Sequence, residues 1–272
     1  MPRLAIFCRT VTIFSKDGGI DESAYREFLQ RFIDTDTGVC LGTGGAGEGH
    51  SMTKDEIRRM YHVAVSACKG KVPVYGNPPE QLTARGMRDS ALFAIECGVD
   101  VVNIYQPASW HGFRPTEAEQ RAYFDNVLST IRHPVALAPL PAIGEIPKPA
   151  LLADICRRYP QVVAINLVAV GQNYFIDLKQ QLPREIALNV TTRGSLEMFP
   201  LGAAGIIGSE MTMVPRTYRR YADLYSEGKL EEAARAYSDI LRILQYISPW
   251  NHTNARCLKM FIKAFKLYLD SV

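Results

Sequence analysis

Eight short apolar runs, rich in β-branched residues, recur about every 30 residues along the chain, which is the length of one strand–helix unit. They lie at Leu4–Cys8, Val39–Gly42, Val72–Tyr75, Val101–Tyr105, Val135–Ala138, Val162–Leu167, Ile186–Val190 and Gly205–Gly208. Each is apolar on both faces, as a strand in a parallel sheet covered by helices must be. Eight such units in one chain predict an α/β protein of the (β/α)8 barrel class, closed rather than open. The segments between the runs carry helical periodicity. From Thr53, the residues Ile57, Met60, Tyr61, Ala64, Val65 and Cys68 fall on one face, and Thr53 with Glu56 predicts a capping box. Ala91, Phe93, Ala94 and Ile95 precede Gly98, a helix stop. Leu151–Tyr159 and Phe175–Leu182 read as the fifth and sixth helices.

After the eighth run the pattern is helix alone. Leu230, Ala233, Ala234, Tyr237, Ile240, Leu241 and Leu244 form one stripe, and a last helix near Ala255–Leu269 carries Cys257, Met260, Phe261, Ala264, Phe265 and Tyr268. The expected organisation is a barrel over residues 1–215 and a helical extension over 216–272 packed on it, serving packing or subunit contact. With 272 residues, 47% hydrophobic and 22% charged, the chain is long enough to bury a full core without disulfides or a structural metal. The six cysteines are scattered and form no CxxC pair, which fits reduced, buried thiols in a cytoplasmic protein. No secretory leader is expected, since the first residues run straight into a strand. A net charge of +3 without a dominant basic cluster gives no reason to expect nucleic acid or a charged membrane as partner. No apolar run is long enough to cross a bilayer.

In barrels of this kind the chemistry sits at the carboxyl ends of the strands. There the sequence reads Val11-Thr12-Ile13-Phe14 followed by Asp17-Gly18-Gly19-Ile20-Asp21, then Gly44-Gly45-Ala46-Gly47-Glu48 with Ser51-Met52-Thr53 and Glu56. Further on come Cys97-Gly98-Val99-Asp100-Val101-Val102, Pro134-Val135-Ala136-Leu137, and Gly202-Ala203-Ala204-Gly205-Ile206-Ile207-Gly208 with Pro215 beyond it. In this order the segments resemble the dihydrodipicolinate synthase and N-acetylneuraminate lyase family over nearly the whole chain. The resemblance implies a class I pyruvate aldolase barrel that assembles as a homodimer or homotetramer and forms an imine between pyruvate and a lysine at the end of the sixth strand.

The residues that would carry that chemistry are different here. Asn166 falls in the lysine position, and an amide nitrogen cannot form a Schiff base. Ala138 replaces a proton-relaying tyrosine, Gly45 and Ala46 replace two hydroxyl residues that hold the pyruvate carboxylate, and Ile143 replaces an arginine. The fourth loop, Pro107-Ala108-Ser109-Trp110-His111, is longer than the family's. The lysines fall in loops and helices or, for Lys71, at the bottom end of a strand, and Lys148 is expected to point away from the barrel axis.

The mouth should therefore be polar with aromatic walls, suited to a small carbonyl or carboxylate ligand, with no cofactor and no metal. The expected catalytic groups are Asn166, Glu48, His111 and Glu210. Asn166 either polarises a carbonyl or enolate oxygen or is a buried amide satisfied by its neighbours. Glu48 and His50 follow a glycine-rich turn, Gly42–Gly47, whose amides either form an anion nest or simply make a tight turn. His111 is either an acid/base group, of the residue type suited to that work near neutral pH, or simply a surface histidine of the loop. Glu210 should either pair, with Arg193 as the expected partner, or act as an acid/base. Thr12, Gly44, Gly45, Ala46, His50, Tyr105, Trp110, Asn189 and Arg193 complete the expected binding set. Three functions fit: an imine-free lyase-like enzyme on this scaffold, a Schiff-base aldolase with a relocated lysine, and a non-catalytic ligand-binding barrel.

Overall fold

The computed structural model describes residues 2–109, 111–247, 249 and 255–269. Eight parallel strands close into a barrel, β1 (Ala5–Arg9), β2 (Gly38–Leu41), β3 (Val74–Gly76), β4 (Val101–Tyr105), β5 (Val135–Ala138), β6 (Val162–Leu167), β7 (Ala187–Val190) and β8 (Gly205–Gly208), each paired with its sequence neighbour and β8 with β1. The helices alternate with them: α1 (Glu22–Ile33), α2 (Lys54–Cys68), α3 (Ala84–Glu96), α4 (Glu117–Leu128), α5 (Pro149–Arg158), α6 (Gln172–Gln181), the single turn α7 (Ser195–Met198) and α8 (Pro215–Ser226). Two more follow, α9 (Leu230–Ile247) and α10 (Ala255–Leu269). The barrel class read from the eight apolar runs is therefore the observed architecture, and every strand boundary lies within two residues of the expected one.

Local chemistry explains the element ends. The capping box at Thr53 and Glu56 is present, and Thr116 with Glu119 forms a second one ahead of α4. Gly98 takes φ +94 just beyond α3, a left-handed stop that residues with a Cβ disfavour.

The pleat sends alternate residues of each strand inward. Phe7, Cys40, Tyr75, Ala136, Ala164 and Ile207 make a small cluster separate from the main core between barrel and helices, with Ala5, Val101 and Ala187 packed on it. This is the barrel floor. The Phe7 and Tyr75 rings meet at 4.7 Å between centroids, and alanines face them from β5 and β6, so large side chains on one wall fill the space left by small ones on the other. Two residues further along the strands, the same inward phase brings Arg9, Asn77, Asn103, Asn166 and Asn189 toward the mouth.

The C-terminal helices differ from the expectation in two respects. The buried stripe of α9 is Ala233, Ala236, Ile240, Leu244 and Ile247, while Leu230, expected in it, is half exposed. Helix α10 does more than pack. It buries Leu258 and Cys257, lies against the short turn at Glu210–Thr212 after β8, and carries Lys259 to the carboxyl-end rim of the barrel. Among the described residues no helix is long and apolar enough to cross a membrane.

Candidate active site

The mouth is built on a ladder of three buried amides. Asn189 on β7 donates Nδ2 to Asn166 Oδ1 at 2.9 Å, and Asn166 on β6 donates Nδ2 to Asn103 Oδ1 on β4 at 2.9 Å. Asn189 and Asn166 are direct register partners, whereas Asn103 lies across the intervening β5. That strand presents only Ala136 and Ala138, and the small side chains leave the span open. All three amides are about 1% exposed. Asn166 is thus satisfied by its neighbours on both sides. The open ends are Asn103 Nδ2, a buried donor without a partner, and Asn189 Oδ1, a buried acceptor without one. A buried amide donor left unmatched in a concave site asks for a ligand or water oxygen.

Tyr105 stands one pleat above Asn103 on the same strand. Its hydroxyl oxygen accepts from Asn77 Nδ2 at 2.8 Å, so its own proton remains available to the mouth. Burial pushes the phenol up to about 12, with the charge of Arg9 acting in the opposite direction. Arg9 closes β1 on its inward phase and is half-buried. It was missed because the first strand was expected to stop at Cys8, although the alternation Ala5, Phe7, Arg9 carries the signal. Glu80, after β3, was also missed. Its carboxylate packs so closely on Gly44 that a Cβ there would sit 2.3 Å from Oε2.

The glycine-rich turn is a braced structural turn. Thr12 is buried and donates its hydroxyl to Gly47 O at 2.7 Å, so it holds the loop instead of facing a ligand. Gly47 N donates to Thr43 Oγ1 at 2.9 Å and Gly49 N to Thr43 O at 3.1 Å. Those two amides are spent inside the turn. Ala46 is buried in the main core, Gly45 is exposed, and Gly44 accepts from His50 through its carbonyl. Glu48, in a left-handed conformation at φ +57, forms an ion pair with Lys259 of α10, whose ammonium also lies 4.5 Å from the centroid of Phe14. Nothing in the helical periodicity of α10 signals this placement, which is set by how the C-terminal segment folds back over the rim.

Glu210 is not in the mouth. Ile207 points inward, so Gly208 faces out, and the Glu210 carboxylate lies against Gly208 on the outer side of the barrel wall. It accepts from the Thr192 hydroxyl, which is itself 3.0 Å from the Tyr218 hydroxyl of α8. Burial first, and the Glu210 charge second, hold that phenol well above its ordinary range. The expected partner Arg193 is exposed beyond β7 and does not pair with Glu210. Glu210 therefore ties the eighth unit to the seventh, and the carboxylate is stabilised by hydroxyls instead of a cation. His111 is exposed in the fourth loop at φ +49. Trp110 lies outside the described residues. Gln106 buckles the fourth loop to the fifth, donating to Leu140 O at 2.8 Å and accepting from Leu140 N at 3.0 Å. Lys148 caps α5, points into solvent and pairs with Glu117 at 3.3 Å. No barrel strand contains a lysine, and no group of three or more potential metal ligands occurs among the described residues.

Comparisons with known proteins agree with the fold. A sequence model for the dihydrodipicolinate synthetase family matches residues 3–270. The 4-hydroxy-tetrahydrodipicolinate synthase of Methanococcus aeolicus is 22% identical over 241 residues, covering 88% of this chain and 82% of its own. The enzyme of the same name from Maridesulfovibrio salexigens is 27% identical over 229 residues, covering 84% and 77%. Among solved structures, a prophage protein of the dihydrodipicolinic acid synthase family from E. coli K12, in complex with pyruvate, superimposes with a TM-score of 0.85 at 19% identity, covering 96% of this chain and 88% of that one. Dihydrodipicolinate synthase from Aquifex aeolicus gives 0.82 at 16% identity, covering 90% and 82%.

Proposed function

This chain belongs to the dihydrodipicolinate synthetase family, a family of aldolase-like lyases, and we propose that it acts on a small oxo acid or related carbonyl compound by acid/base chemistry without an imine. The observation that carries this reading is the buried amide ladder that ends on the open donor Asn103 Nδ2. By the order of the motifs, Asn166 stands on β6 where the family's lysine would stand, and the ladder offers a hydrogen-bond donor in place of an amine.

In this mechanism the substrate carbonyl oxygen accepts from Asn103. Asn166 and Asn189 are positioning residues. Each holds the next amide so that the open N–H points into the mouth, and a chain of amides aligned in one direction polarises its terminal donor. Negative charge developing on the oxygen as the proton on the adjacent carbon passes to a water molecule in the mouth is stabilised by a donor already in place, and the Tyr105 phenol that protonates the oxygen regains its proton from solvent. Tyr105 supplies the proton to that oxygen. Its hydroxyl is held by Asn77 and kept neutral by burial, as a general acid requires. Of the three acid/base groups expected from sequence, Glu48 is paired with Lys259, Glu210 lies behind the wall and His111 is exposed on the fourth loop, so the acid role moves to Tyr105.

The test is hydrogen exchange on carbon. In D2O, the protein should wash deuterium into C3 of at least one of pyruvate, 2-oxobutyrate, oxaloacetate and 2-oxoglutarate, followed by proton NMR. Tyr105→Phe should slow that exchange by about 100-fold or more, the usual contribution of a positioned acid. Exchange no faster than in buffer, or equal exchange by both proteins, would exclude this use of the site.

A further inference from the structure

We propose that Arg9 is the anion anchor of the barrel mouth and confines the substrate to compounds with a carboxylate next to the reacting carbonyl. This deepens the imine-free reading above and rests on it for the position of the carbonyl.

The argument starts from strand phase. On β1 the inward residues are Ala5, Phe7 and Arg9, and Phe7 is fixed inside the barrel by its contact with Tyr75 and by Gly38 opposite, where a Cβ would sit 2.5 Å from the Phe7 ring. Arg9 pairs in register with Cys40 of β2, another inward position, so its side chain leaves the strand toward the mouth and not toward the helices. The Cys40 thiol and the Tyr105 phenol both lie within electrostatic reach of its guanidinium, as an inward side chain on this strand requires.

The second observation is what Arg9 lacks. Among the described residues it makes no ion pair and donates no hydrogen bond. The other buried or half-buried arginines are engaged: Arg31 donates to Thr212 O and Met213 O, and Arg219 to Leu4 O and Asp223. A guanidinium carries five donors and is costly to shield from water without an acceptor. The acceptors around the mouth, the open Asn189 Oδ1 and the Glu80 carboxylate among them, are not bonded to it. The amide ladder is directed among its own members, Tyr105 accepts from Asn77, and the Glu80 carboxylate is packed on Gly44.

A half-buried cation on the inward phase of β1, in a mouth that also holds an open amide donor and a neutral phenol, is complementary to an anion that carries a carbonyl. The carboxylate takes the guanidinium fork, the carbonyl oxygen takes Asn103 Nδ2, and both recognition elements sit on rigid strands. In the glycine turn Gly45 and Ala46 carry no hydroxyl, Thr12 donates into the loop, and the Thr43 hydroxyl is buried against the Gly47 amide.

Binding of pyruvate, 2-oxobutyrate and oxaloacetate is compared with that of the neutral pyruvamide by calorimetric titration of the intact protein and of Arg9→Met and Arg9→Lys. We expect at least one of the carboxylates to bind the intact protein more tightly than pyruvamide. Arg9→Met should weaken that carboxylate by about 10- to 100-fold, the range for a charge-assisted hydrogen bond, and leave pyruvamide within a few-fold. Arg9→Lys, which keeps the charge but not the fork, should fall between. The proposal is overturned if no carboxylate binds the intact protein, if pyruvamide binds as tightly as the carboxylates, or if Arg9→Met leaves the preference intact. A covalent pyruvate–lysine adduct would overturn the imine-free reading without touching the anchor, so the two failures are distinguishable.

Discussion

An Asn166→Leu protein is expected to lose about 2–6 kcal/mol of folding stability and its carbon-exchange activity together. The substitution strands two groups, Asn103 Oδ1 and Asn189 Nδ2, each on a side chain about 1% exposed. A buried polar group left without its partner costs about 1–3 kcal/mol, and the total is a large fraction of the roughly 5–15 kcal/mol that a domain has. Urea unfolding measures the loss. The prediction has an internal control, because removing partners together is less harmful than removing one. Asn103→Leu combined with Asn166→Leu should be clearly less destabilising than the sum of the two single changes. Strict additivity would mean that the amides do not act as a ladder.

The second large effect is at the seam of the barrel. Gly205 opens β8 and pairs with Ala5 of β1, and a Cβ at this position would lie 2.3 Å from the Ala5 carbonyl oxygen. The obstacle is backbone in the strand pair that closes the sheet, so no rotamer change relieves it. Gly205→Val should therefore destabilise by more than about 4 kcal/mol and give little folded protein, well beyond the usual effect of a point change. Gly171→Ala, with nothing within 4 Å of the added methyl, should melt within a degree or two of the unchanged protein by circular dichroism. A Gly205→Val protein with native melting behaviour would contradict the close approach of β1 and β8.

The two predictions draw on different depths of sequence information. The barrel was legible because its strands are continuous β-branched runs at a regular spacing, and burial on both faces is written directly into residue type. The inward or outward phase of each strand end was less legible, and the site depends on it. Ending the first strand at Cys8 hid Arg9, which alternation from Phe7 would have revealed. Glu210 looked like a mouth residue from its distance along the chain after β8. The outward phase of Gly208 and the helical turn that follows put its carboxylate behind the wall instead. Thr12 and Ala46 were read as ligand contacts by position in a motif, but they face the loop and the core. Lys259 had no local signal at all, since the contact with Glu48 joins residues more than 200 positions apart. Asn166 and Asn189 were found as polar residues in apolar strands, and what the sequence did not reveal is that the open donor belongs to Asn103.

Lys259 makes the central claim sharp, because α10 carries its amine to the carboxyl-end rim of the barrel. It is held in an ion pair with Glu48 and rests on Phe14, whereas imine formation needs a free neutral amine against the carbonyl. The direct test is incubation of the intact protein with pyruvate and borohydride, read by intact mass and peptide mapping. The account predicts an unchanged mass. A stable pyruvate adduct on Lys259, or on any other lysine, would contradict it and return the protein to imine chemistry.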